Sequence, residues 1–223
     1  MAEDIKAEKK KIQEEKKKLS IVTTIFPEYD WVKNIVGETS DVDIQFLVNN
    51  GIDLHSYQPS VKDIASISTC DLFIYTGGES EQWANGLAAE RQKKELLTVN
   101  MTEILSDSLL EEYEGIQNSE ETQSHSGEEE HQTDDEEGEA DEHVWLSFSN
   151  ADAVCCEISA ALKKISPEDS SRIEKNLSVY KSSLQKLDER YRPQISDSTI
   201  KDVVFADRFP FIYMLEDYGI SYK

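Results

Sequence analysis

Short apolar runs alternating with helical segments constrain this chain more than any other feature. Ser20–Ile25 is β-branched and reads as a strand that Phe26-Pro27 ends, and a helix over Glu28–Val36 closes at Gly37. Val42–Val48 is a second strand, turned out by Asn49-Asn50-Gly51, and Pro59–Asp63 opens a second helix. Leu72-Phe73-Ile74-Tyr75 is apolar without alternation, as a strand buried on both faces must be. Gly77-Gly78 ends it, a helix begins near Glu81, and Leu96–Val99 is a fourth short strand. This order predicts an α/β layer: a mostly parallel sheet with flanking helices.

Beyond that layer the pattern breaks. Residues 111–142 hold fifteen acids and no base, a third of the 46 acids behind the formal charge of −23. The tract has no apolar periodicity with which to offset its ordering entropy, so it is expected to be a mobile loop. Structure resumes at Val144-Trp145-Leu146. Ser149–Asp152 reads as an S-x-x-D capping box for a helix with Val154, Ile158, Leu162 and Ile165 on one stripe. A second box, Ser166–Asp169, opens the most regular helix, whose apolar residues Ile173, Leu177, Tyr180, Leu184, Leu187 and Tyr191 fall 4, 3, 4, 3, 4 apart; Pro193 should end it. A narrow stripe that long suits a helix spanning a domain. A strand over 203–205, a helix over Phe209–Tyr218 closed by Gly219, and a strand start at Ile220 follow. The expected organisation is a charged tether over 1–18, an N-terminal lobe over 19–165 carrying the acidic loop, a linking helix over 166–195, and the beginning of a second α/β lobe over 199–223 that reads as truncated.

Composition narrows the chemistry. A pI near 4.5 argues against nucleic acid as a partner, because phosphate affinity needs a basic face, and favours cations. No apolar run approaches the eighteen residues of a transmembrane helix. Cys70, Cys155 and Cys156 form no CxxC and read as small buried hydrophobes. GxGxxG, GxxxxGK[ST], GxSxG and HExxH are all missing. Four histidines remain. His55 lies in a loop leaving the carboxyl end of a strand, where open α/β sheets bind ligands; His143 stands where the acidic tract rejoins ordered chain; His125 and His131 lie within the tract. An isolated loop histidine is most often only solvated, but two at strand–loop junctions joined by an acidic tract turn the balance toward a transition metal.

The stretch Gly51-Ile52-Asp53-Leu54-His55-Ser56-Tyr57-Gln58-Pro59 resembles the G-x-D-x-H-x-Y-x-P loop of the zinc/manganese substrate-binding proteins of ABC transporters. Ile21–Pro27, Asp71–Trp83, Asp141–Ser147 and Arg208–Gly219 are similar to that family in the same order. The resemblance implies two α/β lobes joined by one long helix, with metal bound between them and no reaction catalysed. It implies that His55 and His143 are the first two ligands, with Asp53 or Asp141 orienting them, and Zn²⁺ rather than Mn²⁺ as the cargo. It also implies a membrane permease as partner, and an extracellular or periplasmic location with anchoring through a removed N-terminal segment. One departure stands out. Arg208 occupies the place of the family's third histidine, and a guanidinium cannot ligate a metal. Asp207, His125 and His131 are the alternative donors, and the fourth ligand of the family would fall beyond Lys223. Phe209, Phe211 and Tyr213 are expected to form an apolar patch that invites self-association. The rival readings are a zinc-dependent hydrolase and an acidic, metal-responsive interaction module.

Overall fold

The structure is a computed structural model that describes residues 18–49, 51–92, 94–112, 140–205 and 209–223. Four strands, β1 (Leu19–Thr23), β2 (Val42–Phe46), β3 (Leu72–Tyr75) and β4 (Leu97–Asn100), form one parallel sheet in the order β2-β1-β3-β4. Ile21 pairs with Ile44 on one side and Leu72 on the other, which makes β1 central. β3 is buried at all four positions, as its unbroken apolar run requires. The strand order reverses between β1 and β3, so the loops leaving the carboxyl ends of the strands open a crevice there.

Helix α1 (Phe26–Val36) begins two residues before the expected Glu28. Pro27, with its φ already helical, occupies the first turn, and Glu28 reaches back from the third position to accept hydrogen bonds from the amides of Thr24 (2.7 Å) and Ile25 (3.3 Å). Helices α2 (Val61–Thr69) and α3 (Gln82–Gln92) make the following crossovers, and a short α4 (Met101–Ile104) follows β4. Arg91 on α3 is wholly buried. It donates to the carbonyls of Ile67, Cys70 (3.0 Å) and Leu97 (2.6 Å) at the amino edge of the sheet.

Helix α5 (Phe148–Ile165) buries the predicted Val154, Ile158 and Leu162, but its cap is Ser147, whose hydroxyl accepts from the Asn150 amide (3.2 Å). Asp152 is free of capping duty and pairs with Lys181 at 2.8 Å. The Ser166 box does not form either. Pro167–Asp169 is a 3₁₀ turn, and α6 runs from Ser170 to Ser196, past Pro193. That proline is exposed, where water can serve the carbonyl left without an amide. The stripe of α6 is used unevenly. Ile173 is buried and Tyr180 donates to Asp30 on α1 (2.8 Å), while Leu187 and Tyr191 are exposed. All three thiols are free; Cys70 and Cys155 are buried as expected, whereas Cys156 is half-buried and accepts from Lys181 Nζ (3.2 Å).

After α6, β5 (Asp202–Val203) and β6 (Ser221–Tyr222) form a parallel pair around α7 (Ile212–Tyr218). α7 starts three residues later than expected, and β5 starts and ends earlier. The expected aromatic patch is largely absent: Tyr213 is buried, Phe209 packs between Phe205 and Tyr222, and Phe211 is the exposed member. The Tyr213 hydroxyl donates to the Asp141 carbonyl (2.7 Å) and accepts from the Leu110 amide (3.2 Å). It therefore seals the neck of the acidic tract, which Glu111 and Ala140 close as an antiparallel bridge. Asp141 and Glu142, expected to be the end of the loop, are buried instead.

Candidate metal centre

His55 sits in the loop that leaves β2. A 3₁₀ turn over Leu54–Ser56 presents it, and Asp53 caps that turn by accepting from the His55 amide (3.0 Å). Asp53 thus acts on the backbone of His55. The imidazole Nδ1 faces Ser80 Oγ at 2.8 Å and Glu142 Oε1 at 3.1 Å. Ser80 comes from the loop after β3, so the ring is held between the loops that leave β2 and β3.

His143 heads a second 3₁₀ turn, Val144–Leu146. Asp141 fixes it twice, accepting from its amide (2.8 Å) and facing its Nδ1 at 3.2 Å. Trp145 packs against the ring at 5.2 Å between centroids. The two imidazoles lie 5.3 Å apart, centre to centre, and tilted by 51°. With Zn–N bonds of about 2.1 Å and about 1.1 Å more to each ring centre, two imidazoles on a tetrahedral zinc stand about 5.2 Å apart. The spacing fits one shared ion. Because carboxylates face both Nδ1 atoms, the Nε2 atoms are left for it.

His55, Glu79, Ser80, Asp141, Glu142 and His143 line a cavity of about 90 Å³. Among the described residues no three His, Cys, Asp or Glu side chains stand together in a metal-holding arrangement, and the two imidazoles alone are fewer than the four donors of a tetrahedral zinc site. His125, His131 and Asp207 lie outside the described residues. Below the cavity Glu28 and Glu81 are fully buried. Glu81 accepts from the Gly77 amide (3.0 Å), and its Oε1 has no hydrogen-bond partner among the described residues. Desolvation pushes the Glu81 carboxyl up to about 7, with the charge of Glu142 adding to it. Desolvation, followed by the charge of Glu81, holds Glu28 well above the usual carboxylate range. The crevice is therefore electronegative and partly protonated at its base.

Sequence reasoning missed Glu142 as a partner of His55. Read linearly it is one of fifteen acids in the tract, and its contacts lie 62 and 87 positions upstream. The one local signal was the unbroken Asp141-Glu142-His143 run against the following aromatic turn.

The profile of the ZnuA family, zinc-uptake complex component A periplasmic, matches residues 21–223. The zinc-binding lipoprotein AdcA of Streptococcus pneumoniae is 32% identical over 204 residues, covering 92% of this chain and 38% of AdcA. The high-affinity zinc uptake system protein ZnuA of Bacillus subtilis is 30% identical over 206 residues, covering 92% of this chain and 60% of ZnuA. This chain therefore spans about two to three fifths of the length of these curated relatives. Zn(II)-bound AdcA from S. pneumoniae superposes with a TM-score of 0.71 at 29% identity, over 92% of this chain and 38% of that one. The metal-dependent lipoprotein YcdH from B. subtilis does so at 0.73 and 27% identity, over 92% and 66%. With a profile match over nearly its whole length and the parallel-sheet architecture to go with it, the chain belongs to the ZnuA family of periplasmic zinc-uptake components.

Proposed function

We propose that this chain captures Zn²⁺ as cargo outside the cytoplasm and delivers it to an ABC permease. The carrying observation is the His55–His143 pair, spaced for one tetrahedral ion and backed at each Nδ1 by a carboxylate. Neutral imidazole nitrogens suit zinc better than manganese, which prefers an oxygen shell. In this reading residues 19–165 are the capturing lobe, 166–195 the connector, and 199–223 the first part of the opposing lobe. Asp207, His125 and His131 are the candidates for completing the shell, and the Lys/Glu-rich residues 1–18 are a tether to a membrane anchor. The acidic crevice raises the local cation concentration before coordination. Family membership supports a transport role, since the family is a component of zinc uptake.

The test is calorimetric titration of the metal-free chain with Zn²⁺ and, separately, Mn²⁺. One tight zinc event per chain is expected, with manganese weaker by at least about tenfold. Equal affinity for the two metals, or zinc binding indifferent to loss of both His55 and His143, overturns the reading.

A further inference from the structure

We propose that Glu142 is a positioning residue for this site: it holds the His55 ring in the tautomer whose proton is on Nδ1, and so commits Nε2 to the metal. The inference rests on the zinc reading above and adds a residue to it.

The Ser80 amide donates to Glu142 Oε2 at 3.0 Å, and the Ser80 hydroxyl lies in short contact with Oε1. A carboxylate only accepts, so that contact is attractive only if the hydroxyl hydrogen points at Glu142. The hydroxyl has no second hydrogen. It therefore turns a lone pair toward His55 Nδ1, 2.8 Å away, and the other neighbour of Nδ1 is Glu142 Oε1 itself at 3.1 Å. Both atoms facing Nδ1 are acceptors, so Nδ1 carries the hydrogen and Nε2 the lone pair. Reversing the hydroxyl to donate to His55 would press two bare oxygens together.

Glu142 is built into place. It is buried, and its carboxylate passes against Gly78, whose φ is +75°. A Cβ at Gly78 would stand 2.6 Å from Glu142 Oε2 and 2.8 Å from Glu142 Cβ. Glycine is thus required twice over, for its dihedral and for the room it leaves. Asp141 does for His143 what Glu142 does for His55, so adjacent residues on one segment each fix one imidazole. Such outer partners set ligand orientation and basicity, and their loss typically weakens metal binding about 10–100-fold.

The experiment follows the ring nitrogens directly. Full-length chain labelled with ¹⁵N-histidine, zinc-free and at pH 8, is examined by long-range ¹H–¹⁵N correlation. The wild-type His55 ring is expected to show the Nδ1–H tautomer. Glu142→Gln, an isosteric change that offers an amide donor to Nδ1, is expected to move the ring toward Nε2–H and to weaken zinc about 10–100-fold. Ser80→Ala, which leaves the carboxylate in place, should keep the Nδ1–H tautomer and lose less than about tenfold. An Nε2–H tautomer in the wild type overturns the inference even if Glu142→Gln fails to fold. So does a Glu142→Gln ring unchanged from wild type, or a Ser80→Ala loss as large as that of Glu142→Gln. If the tautomer results hold while the wild type binds no zinc, the positioning role stands and the transport reading falls.

Discussion

At the amino edge of the sheet a single guanidinium, Arg91, is wholly buried and directs its donors at the carbonyls of Ile67, Cys70 and Leu97 and the Thr98 hydroxyl. At the carboxyl edge Glu28, Glu81, Asp141 and Glu142 are buried together, and among the described residues no ion pair joins a Lys or Arg to any of them. One edge brings a charge to acceptors that need it, and every partner is internal. The other collects carboxyls beyond what amides and hydroxyls satisfy, down to a Glu81 oxygen with no hydrogen-bond partner among the described residues. Buried charge that is saturated from within holds the fold together. Buried acidity left without an internal cation favours a cation from outside, in keeping with the role proposed for the two imidazoles.

The sharpest way to break this contrast is Arg91→Met. The buried carbonyls of Ile67 and Cys70 and the half-buried one of Leu97 would lose the guanidinium, at about 1–3 kcal/mol for a buried group, so urea unfolding should show a loss of about 3 kcal/mol, with zinc affinity of the folded variant within about twofold of wild type. The mirror experiment is His55→Ala and His143→Ala. Each removes a proposed ligand and should weaken the tightest zinc event by more than about 100-fold in calorimetry, beyond the effect of an outer partner. The urea midpoint should barely move for His55→Ala, whose ring is partly exposed. His125→Ala and His131→Ala should lose far less, because a tract with no apolar periodicity in its sequence must be ordered on binding.

The next test concerns the floor of the crevice. A carboxyl whose folded value is raised stabilises the fold while protonated, fully below its unfolded value near 4.5, and loses that contribution as pH climbs through about 7 for Glu81. Unfolding free energy should therefore fall by about 1–3 kcal/mol between pH 5.5 and pH 8.5. Glu81→Gln should flatten the profile, and a wild-type profile that is already flat over this window would show that the pair is ionised throughout. The smallest effect is expected from deleting residues 116–137. The neck is closed by the Glu111–Ala140 bridge and the Asp141 amide on Leu110 (2.8 Å), so stability should change by less than about 1 kcal/mol.

What could be read from the sequence divides along the same line. The sheet was legible because its period and its apolar runs are local: Leu72–Tyr75 could hardly be anything but a central strand. His55 and His143 were legible because each sits in a stretch similar to a known family at a strand–loop junction. Arg91 was not, since nothing around it in the chain marks that the carbonyls of residues 67, 70 and 97 converge there. Glu142 was hidden by its neighbours, one acid among fifteen, until folding placed Ser80 and His55 against it. The caps failed for a related reason. Ser149 and Ser166 have the right residues three places on, but tertiary contacts gave Asp152 to Lys181 and the start of α6 to a 3₁₀ turn.

The Tyr213 hydroxyl has a mechanical consequence. It joins α7 to both sides of the neck, two residues from His143, through one oxygen that gives a hydrogen to Asp141 and takes one from Leu110. Swinging α7 outward would strand a carbonyl and an amide, a resistance of about 1–3 kcal/mol for each that goes unpaired. α7 is therefore bolted to the backbone from which His143 hangs, so displacement of that helix and slackening of the His143 turn are geared together.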